Sequence, residues 1–425
     1  MPGTQTGVKH SRWSIVNTKN TMLSGGPWEL ELTNNSSTYL NLKRTWLFFT
    51  FKITDAADNK VPMIVHADAN TAINYACINN IAHSIVRSFT LHINSQLVYH
   101  DSCNYAYKSY IENTLMYSEN AKKSTLSSCG YTYEPHVGSE TSKGYGVRAV
   151  WVNNGRTCQV ALNMSIDLFN QKKILYNGCN VKLTIYPNDS KFLVESYGNP
   201  KKTQYKFHVE KVYALVNELE LTDGLMATLE RTITEKKSVS YPIMSPQLRS
   251  FYIGPGRLDA PANTIFTSKM PRRIFLGLVS QASYNGTYET SPFDFRPYGL
   301  RDIHVDYCGI TIPCRPLNLD FDNDQYCEAY VQLQETVGMV RNNTASNGIS
   351  MEMFKDKGYT IYGFELSSVA LDPNLFELVR VTNVSIRLNF SQRTPEGGLY
   401  CIVYGEFDNI ISLDYMRNPK VEMIT

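Results

Sequence analysis

Along most of this chain the apolar side chains fall at every second position. Trp28, Leu30 and Leu32 alternate with Glu29, Glu31 and Thr33, and Phe89, Leu91 and Ile93 alternate with Thr90, His92 and Asn94. Tyr205, Phe207 and Val209 repeat the pattern, as do Val384, Ile386, Leu388 and Phe390. A period of two puts one set of side chains on one face of a strand, the signature of half-buried antiparallel sheets. Turn clusters such as Asn153-Asn154-Gly155, Asn177-Gly178 and Glu396-Gly397-Gly398 separate many of the runs. The pattern predicts an all-β sandwich or barrel.

Helical spacing is confined to three places. Tyr107, Ile111 and Leu115, with Tyr110 beside them, predict a helix in a stretch running to about Leu126. Tyr326, Tyr330, Leu333 and Val337 predict a second, and a shorter third is expected after Thr222, placed as its N-cap. The two longer helices follow similar strands. Setting His92 on His304 and Asn94 on Asp306 aligns those strands without a gap. Tyr110 then falls near Tyr330, and the opening strand at Trp28 falls on the Ser238–Met244 region. This is the trace of an internal duplication of one unit of roughly 200 residues. The division is expected near Thr222.

Composition narrows the reading. With 425 residues and 43% hydrophobic content the chain can bury two cores. Lys+Arg 41 against Asp+Glu 39 leaves a net charge of +2, which excludes a strongly basic nucleic-acid sleeve. Residues 1–28 hold Lys9, Arg12 and Lys19 and no acid, and read as a solvated tail or an arm that orders against a partner. No secretory leader and no apolar run long enough to cross a bilayer is visible. Nine cysteines without a C-x-x-C pair suit free, mostly buried thiols in a reducing compartment. The sequons at Asn35, Asn163, Asn285 and Asn383 are then chance matches in an Asn-rich chain. Tyr 28 and Phe 18 fit strand faces and interfaces equally well.

Candidate chemistry is thin. No nucleophile elbow, zinc-protease motif or phosphate loop is present. Gly254-Pro255-Gly256 lacks the third glycine of a dinucleotide loop and reads as a turn between strands. Asp320, Asp322 and Asp324 alternate as in a calcium loop, but Gln325 and Val331 stand where that loop needs Gly and a bidentate Glu. His100, Asp101 and Cys103, and His304, Asp306 and Cys308, are metal or Cys–His candidates that no spacing constrains. The expectation is no catalytic, cofactor or metal residue at all.

Four stretches carry a resemblance. They are Trp28–Ile53 with Tyr39-Leu40-Asn41-Leu42; Asn79-Asn80-Ile81-Ala82-His83-Ser84-Ile85 through Leu91-His92-Ile93-Asn94, Tyr105–Tyr117 and Ala121-Lys122-Lys123; Ile166-Asp167-Leu168-Phe169-Asn170-Gln171 with Lys173-Ile174-Leu175; and Pro271-Arg272-Arg273-Ile274 through Tyr284-Asn285-Gly286 and Ser291-Pro292-Phe293-Asp294-Phe295. Over about residues 26–415 the chain resembles the major capsid proteins of Polinton (Maverick) elements and adintoviruses, in the double jelly-roll lineage of tectiviruses and adenoviruses. The Cys-rich patch around Cys308, Cys314 and Cys327 is not part of that likeness.

The resemblance implies two tandem eight-stranded jelly-roll β-sandwiches with a few short connecting helices: an arm over 1–25, a first roll over 26–221 and a second over 222–425. It also implies a homotrimer of pseudo-hexagonal outline that meets neighbouring capsomers, penton and minor capsid proteins in an icosahedral virion. Such a protein is made in the host cytoplasm or nucleus and is not an enzyme. Genomic double-stranded DNA is an expected partner only through the basic arm. Loops 130–150, 255–270 and 338–358 are expected at trimer contacts and outer towers, from their polarity and length. The alternative is a soluble β-sandwich module binding carbohydrate or protein, which would explain the tyrosines but not the duplication.

Overall fold

The computed structural model describes residues 5–20, 25–33, 37–61, 75–101, 103–197, 204–267, 269–340, 345–372, 375–376 and 380–422. Asn35 and parts of the 1–28 segment and of the 255–270 and 338–358 loops lie outside them. In chain order the strands are β1 (Val8–Asn17), β2 (Trp28–Thr33), β3 (Thr38–Asp55), β4 (Val86–Ile93), β5 (Gln96–His100), β6 (Cys158–Asn163), β7 (Asn180–Pro187) and β8 (Tyr205–Leu221). They continue as β9 (Val239–Ile253), β10 (Asp259–Phe266), β11 (Arg273–Ser280), β12 (Leu300–Tyr307), β13 (Ile310–Ile312), β14 (Ile361–Glu365), β15 (Val384–Phe390), β16 (Leu399–Leu413) and β17 (Pro419–Glu422). The longer helices are α1 (Tyr105–Leu115), α2 (Lys143–Val152), α3 (Asp223–Thr234), α4 (Cys327–Val337) and α5 (Met351–Asp356).

The sheets repeat. One has the order β1-β8-β3-β6 and faces one of order β2-β7-β4-β5. The next pair has the orders β9-β16-β11-β14 and β10-β15-β12-β13, with β17 added beside β16. Adding eight to each strand number of the first roll reproduces the second. The fold is all-β, two eight-stranded jelly rolls in tandem. In each roll the strands alternate as the sequence predicts: Trp28, Leu30 and Leu32 are buried, and Trp28 meets Phe49 of the facing sheet at 5.9 Å between ring centroids. In the second roll Phe266 of β10 and Phe407 of β16 meet across the sheets at 5.1 Å.

The duplication is in the structure, but two of its alignments move. The β4–β5 hairpin turns at Asn94 and Ser95 (φ 48° and 69°), and the β12–β13 hairpin turns at Cys308 and Gly309 (φ 48° and 76°). Both are two-residue turns of the kind that matches strand twist. Asn94 therefore corresponds to Cys308, not to Asp306. The error is two residues, and because the strand period is two, every side chain stays on its face. Trp28 opens β2, whose counterpart is β10, whereas the Ser238–Met244 region leads into and opens β9, the counterpart of β1.

That second slip follows from a missed strand. Residues 8–17 are not a solvated arm but the edge strand of the first sheet, paired antiparallel with β8 from Val8↔Leu221 to Asn17↔Tyr213. Its alternation is inverted: Trp13 and Ile15 are 43% and 65% exposed, while Ser14 and Val16 are half-buried. Backbone pairing, rather than apolar burial, holds it in place.

The helices sit near their expected places. The first stops at Leu115, followed by a short helix Glu119–Lys123 capped by Ser118 Oγ and a 3-10 turn over Thr125–Cys129. The helix after Thr222 forms, though the Thr222 side chain makes no cap hydrogen bond. Among the described residues no helix is long and apolar enough to cross a membrane. Four thiols (Cys103, Cys308, Cys314, Cys327) are exposed and four (Cys77, Cys129, Cys179, Cys401) buried, so the expectation of mostly buried thiols does not hold. The exposed ones lie in connections, where no sheet covers them.

Candidate functional site

The most elaborate polar and aromatic chemistry lies where the two rolls meet. In each roll the connection before the β6 or β14 strand is long and carries a helix, α1 in the first and α4 in the second. Helix α1 has almost no exposed face, because it packs on β4 of its own roll and on β9 of the other. The Tyr110 ring stacks on Phe293 at 4.0 Å and 3°, and Tyr107 stacks on Tyr284 at 5.8 Å. Phe192 and Phe295 close the cluster edge-on. Aromatic pairs of this kind add to the burial of their large surfaces.

Beside the rings runs a chain of buried ionic groups. Lys108 donates to the Tyr99 hydroxyl at 3.1 Å and the Ser165 carbonyl at 2.9 Å, with Asp167 3.5 Å away. Glu112, one turn on, accepts from Ser165 Oγ and, at 3.0 Å, from the hydroxyl of Tyr404 on β16. Tyr404 is 3.3 Å from Glu406, which holds Arg273 through both guanidinium nitrogens Nε and Nη2. Arg273 also donates to the Thr336 carbonyl of α4 at 2.8 Å. Burial works against the Lys108 charge, but Asp167 and Glu112 outweigh it and lift Lys108 above the ordinary lysine value. Burial pushes Glu112 and Asp167 up, against the pull of Lys108. The chain is a positional lock, since each member is costly to bury unless its partner is in place.

A second lock pins the first roll's long connection. Arg148 of α2 reaches Glu134 at 3.1 Å and Glu195 at 2.9 Å, and donates to the Cys77 carbonyl and Thr132 Oγ1 at 2.9 and 2.7 Å. All three charged side chains are buried. Lys122 is buried, and among the described residues no carboxylate pairs with it; its Nζ is satisfied by the carbonyls of Thr114 and Asn347. Burial drops it to about 7.

These contacts revise the reading of the loops. The described residues of 130–150 and 338–358 touch one another: Tyr133 donates to the Gly348 carbonyl at 2.7 Å, and Val137 N to the Lys357 carbonyl at 2.9 Å. Polarity misled here because the polar groups satisfy one another inside. Much of 255–270 is strand β10. Tyrosine dominates the largest fully buried side chains, and so serves the core first.

The candidate chemical residues do not converge. Asp101 borders a cavity of about 290 Å³ between the rolls with His100, Lys108 and Asp167. Its Oδ2 accepts from Phe89 N at 3.0 Å, and burial raises it to about 7. His100 faces outward beside Thr90, and Cys103 is exposed. His304 pairs with Asp302 at 2.5 Å rather than Asp306, which is bound by Thr311. Cys308 sits in its hairpin turn. Asp320 accepts from the backbone of Asp322 and Asn323, and Asp324 pairs with Lys355. Gly254-Pro255-Gly256 is a turn, with Gly256 N bound to the Thr394 carbonyl. Among the described residues no three His, Cys, Asp or Glu side chains are grouped to hold a metal. Lys9, Arg12 and Lys19 each lie against a carboxylate of the same chain, Glu220, Glu218 and Glu31.

Two complete rolls of the same strand order, locked through their long connections, define the double jelly-roll class. Solved structures place that class. A chain of the Sputnik virophage matches with a TM-score of 0.66 at 10% identity, covering 100% of this chain and 90% of the other. The mavirus major capsid protein matches at 0.59 and 10% identity, covering 100% and 92%. The PBCV-1 capsid protein VP54 matches at 0.59 and 11% identity, covering 100% and 99%. No family model matches the chain. The chain belongs to the same family as a Caenorhabditis elegans relative, "Uncharacterized protein F54H12.2", which is 59% identical over 424 residues spanning 100% of both.

Proposed function

We propose that this protein is the major capsid subunit of an icosahedral double-stranded DNA virus or virus-like transposon of the Polinton and adintovirus type. It would assemble as a homotrimer of pseudo-hexagonal outline and sit in the virion beside other capsomers, penton and minor capsid proteins. The observation that carries the reading is the repetition of one eight-stranded unit, strand for strand, in a chain that shares its whole length with viral capsid folds. Three copies of two similar rolls tile a hexagonal lattice, and the work of such a subunit is burial between copies, not turnover. We take 26–221 and 222–425 as the two domains, with β1 joined to the first. The reading leaves genome neutralisation to counterions and other proteins, because Lys9, Arg12 and Lys19 already face carboxylates. Light scattering of the purified protein should give three times the 48.3 kDa chain. A clean monomer at high concentration, with no particles in electron micrographs, would overturn the proposal.

A further inference from the structure

Around Lys108 the seam between the rolls holds more acid than base. Asp101, Glu112 and Asp167 all act on its charge, and Glu406 stands beyond Glu112, already paired with Arg273. Lys108 and Asp167 leave only 2% and 5% of their side chains exposed. Lys108 Nζ lies 3.5 Å from Asp167 Oδ1, held there by the Ser165 carbonyl at 2.9 Å and by Tyr99, whose ring it overlies at 5.0 Å. Ser165 Oγ donates to Glu112, one turn along α1 from Lys108, so one serine positions both the amine and a second carboxyl group. The pair borders the cavity between the rolls, whose lining also includes the exposed His100, Arg249 and Val421. Lys108 alone cannot neutralise three carboxylates withdrawn from water, so part of this set carries protons. Burial raises Asp101, Glu112 and Asp167 alike.

We infer that Lys108 and Asp167 condense to an isopeptide, an amide between the two side chains that the chain forms on itself once folded. In the resting pair, attraction to Asp167 and Glu112 keeps Lys108 an ammonium. Proton transfer within the pair gives the reacting form, a free amine on Lys108 and a carboxylic acid on Asp167. The Nζ lone pair then adds to Asp167 Cγ, and the acid hydroxyl leaves as water with one proton from the nitrogen. One C–N bond forms, one C–O bond breaks, one water is released, and no further reactant enters. Three features favour the product. The fixed contact supplies the effective concentration that amide formation between free partners lacks. The amide is neutral, so condensation removes two charges whose burial is costly. The adjoining cavity takes up the departing water, while the buried seam shields the amide from hydrolysis. Glu112 is placed to carry the proton from nitrogen towards the leaving oxygen. The bond would tie α1 to the connection between β6 and β7, and it goes beyond the capsid-subunit reading without depending on it.

Mass spectrometry of the denatured full-length protein is the test. Wild type should weigh one water less than its sequence, with N-terminal processing allowed for. Digestion should give a branched peptide joining the Lys108 and Asp167 segments. Lys108→Met and Asp167→Ala should each show the full sequence mass and no branched peptide. In protein sampled at intervals after cell-free synthesis, Glu112→Gln should form the bond about 10-fold more slowly or worse, and Glu112→Asp should recover part of the rate. Folded wild type that stays at full sequence mass on prolonged incubation overturns the inference, whether or not the variants fold. A water loss carried by a linear peptide, such as a cyclic imide at Asp223-Gly224, overturns it too. A Glu112→Gln rate equal to that of wild type overturns the proton-carrying role alone.

Discussion

His83 and Asp101 make opposite demands on pH, and separating them tests how the first roll is packed. His83 lies in the buried turn Ile81–Ser84, its Nδ1 2.9 Å from the Tyr105 hydroxyl, which accepts from Ser165 N at 3.0 Å. The hydroxyl proton therefore points to Nδ1, and the ring is a neutral acceptor. Burial drops His83 from 6.5 to about 3. Its folded value is depressed, so the unfolded chain takes up the proton first, and stability falls as pH drops below 6.5 towards 3. From pH 7 to 5 the loss is about 2 kcal/mol. Asp101 runs the other way. Its folded value is raised from 3.8 to about 7, so the folded state binds the proton first and gains about 2 kcal/mol over the same interval. In the wild type the two nearly cancel. His83→Gln should therefore lose the acid penalty, and Asp101→Asn the acid gain. The assay is thermal unfolding at pH 7 and pH 5 at constant ionic strength. For a roll of this size 2 kcal/mol is about 4–8 °C. On acidification the midpoint of Asp101→Asn should fall by that much more than wild type, and that of His83→Gln should rise relative to it. Parallel pH profiles for all three proteins would refute the assignment of a neutral His83 and a protonated Asp101.

Other outcomes follow from the same geometry. Lys122 is depressed to about 7 from 10.5, so its burial penalty is full below 7 and relieved as pH rises towards 10.5. Between pH 7 and 9 wild type should gain about 2 kcal/mol relative to Lys122→Met in denaturant titrations, and a constant difference would contradict this. Arg148→Met strands two buried carboxylates and should cost about 3–5 kcal/mol, seen as loss of soluble, cooperatively melting protein. Phe293→Ala empties the aromatic seam and should cost about 3–5 kcal/mol. Because the seam joins the rolls, calorimetry of that variant should show two transitions, and one undivided transition would argue against the seam as the coupling element.

How much of this was legible in the sequence depends on what each residue answers to. Strands such as Trp28–Thr33 and Val384–Phe390 were readable because they bury one face in their own roll, and that burial writes a period of two. The duplication was readable for the same reason, though its register slid by two residues. A displacement of two leaves the burial pattern unchanged, and only the paired turns at Asn94-Ser95 and Cys308-Gly309 fix it. β1 was not readable, because its apolar residues Trp13 and Ile15 point away from the core and its stability comes from main-chain pairing. The polar loops 130–150 and 338–358 looked like surface, since a sequence does not show that Arg148 finds Glu134 and Glu195, or that Tyr133 finds Gly348.

The spacing of apolar positions was enough for the class: two runs of alternating strands, each able to close a sandwich, in one chain of nearly balanced charge. Which faces remain open is set by long-range contacts. Local pattern reports whether a side chain is apolar and how it is spaced. Whether that side chain meets its own core, the other roll or solvent depends on contacts between residues far apart in the chain.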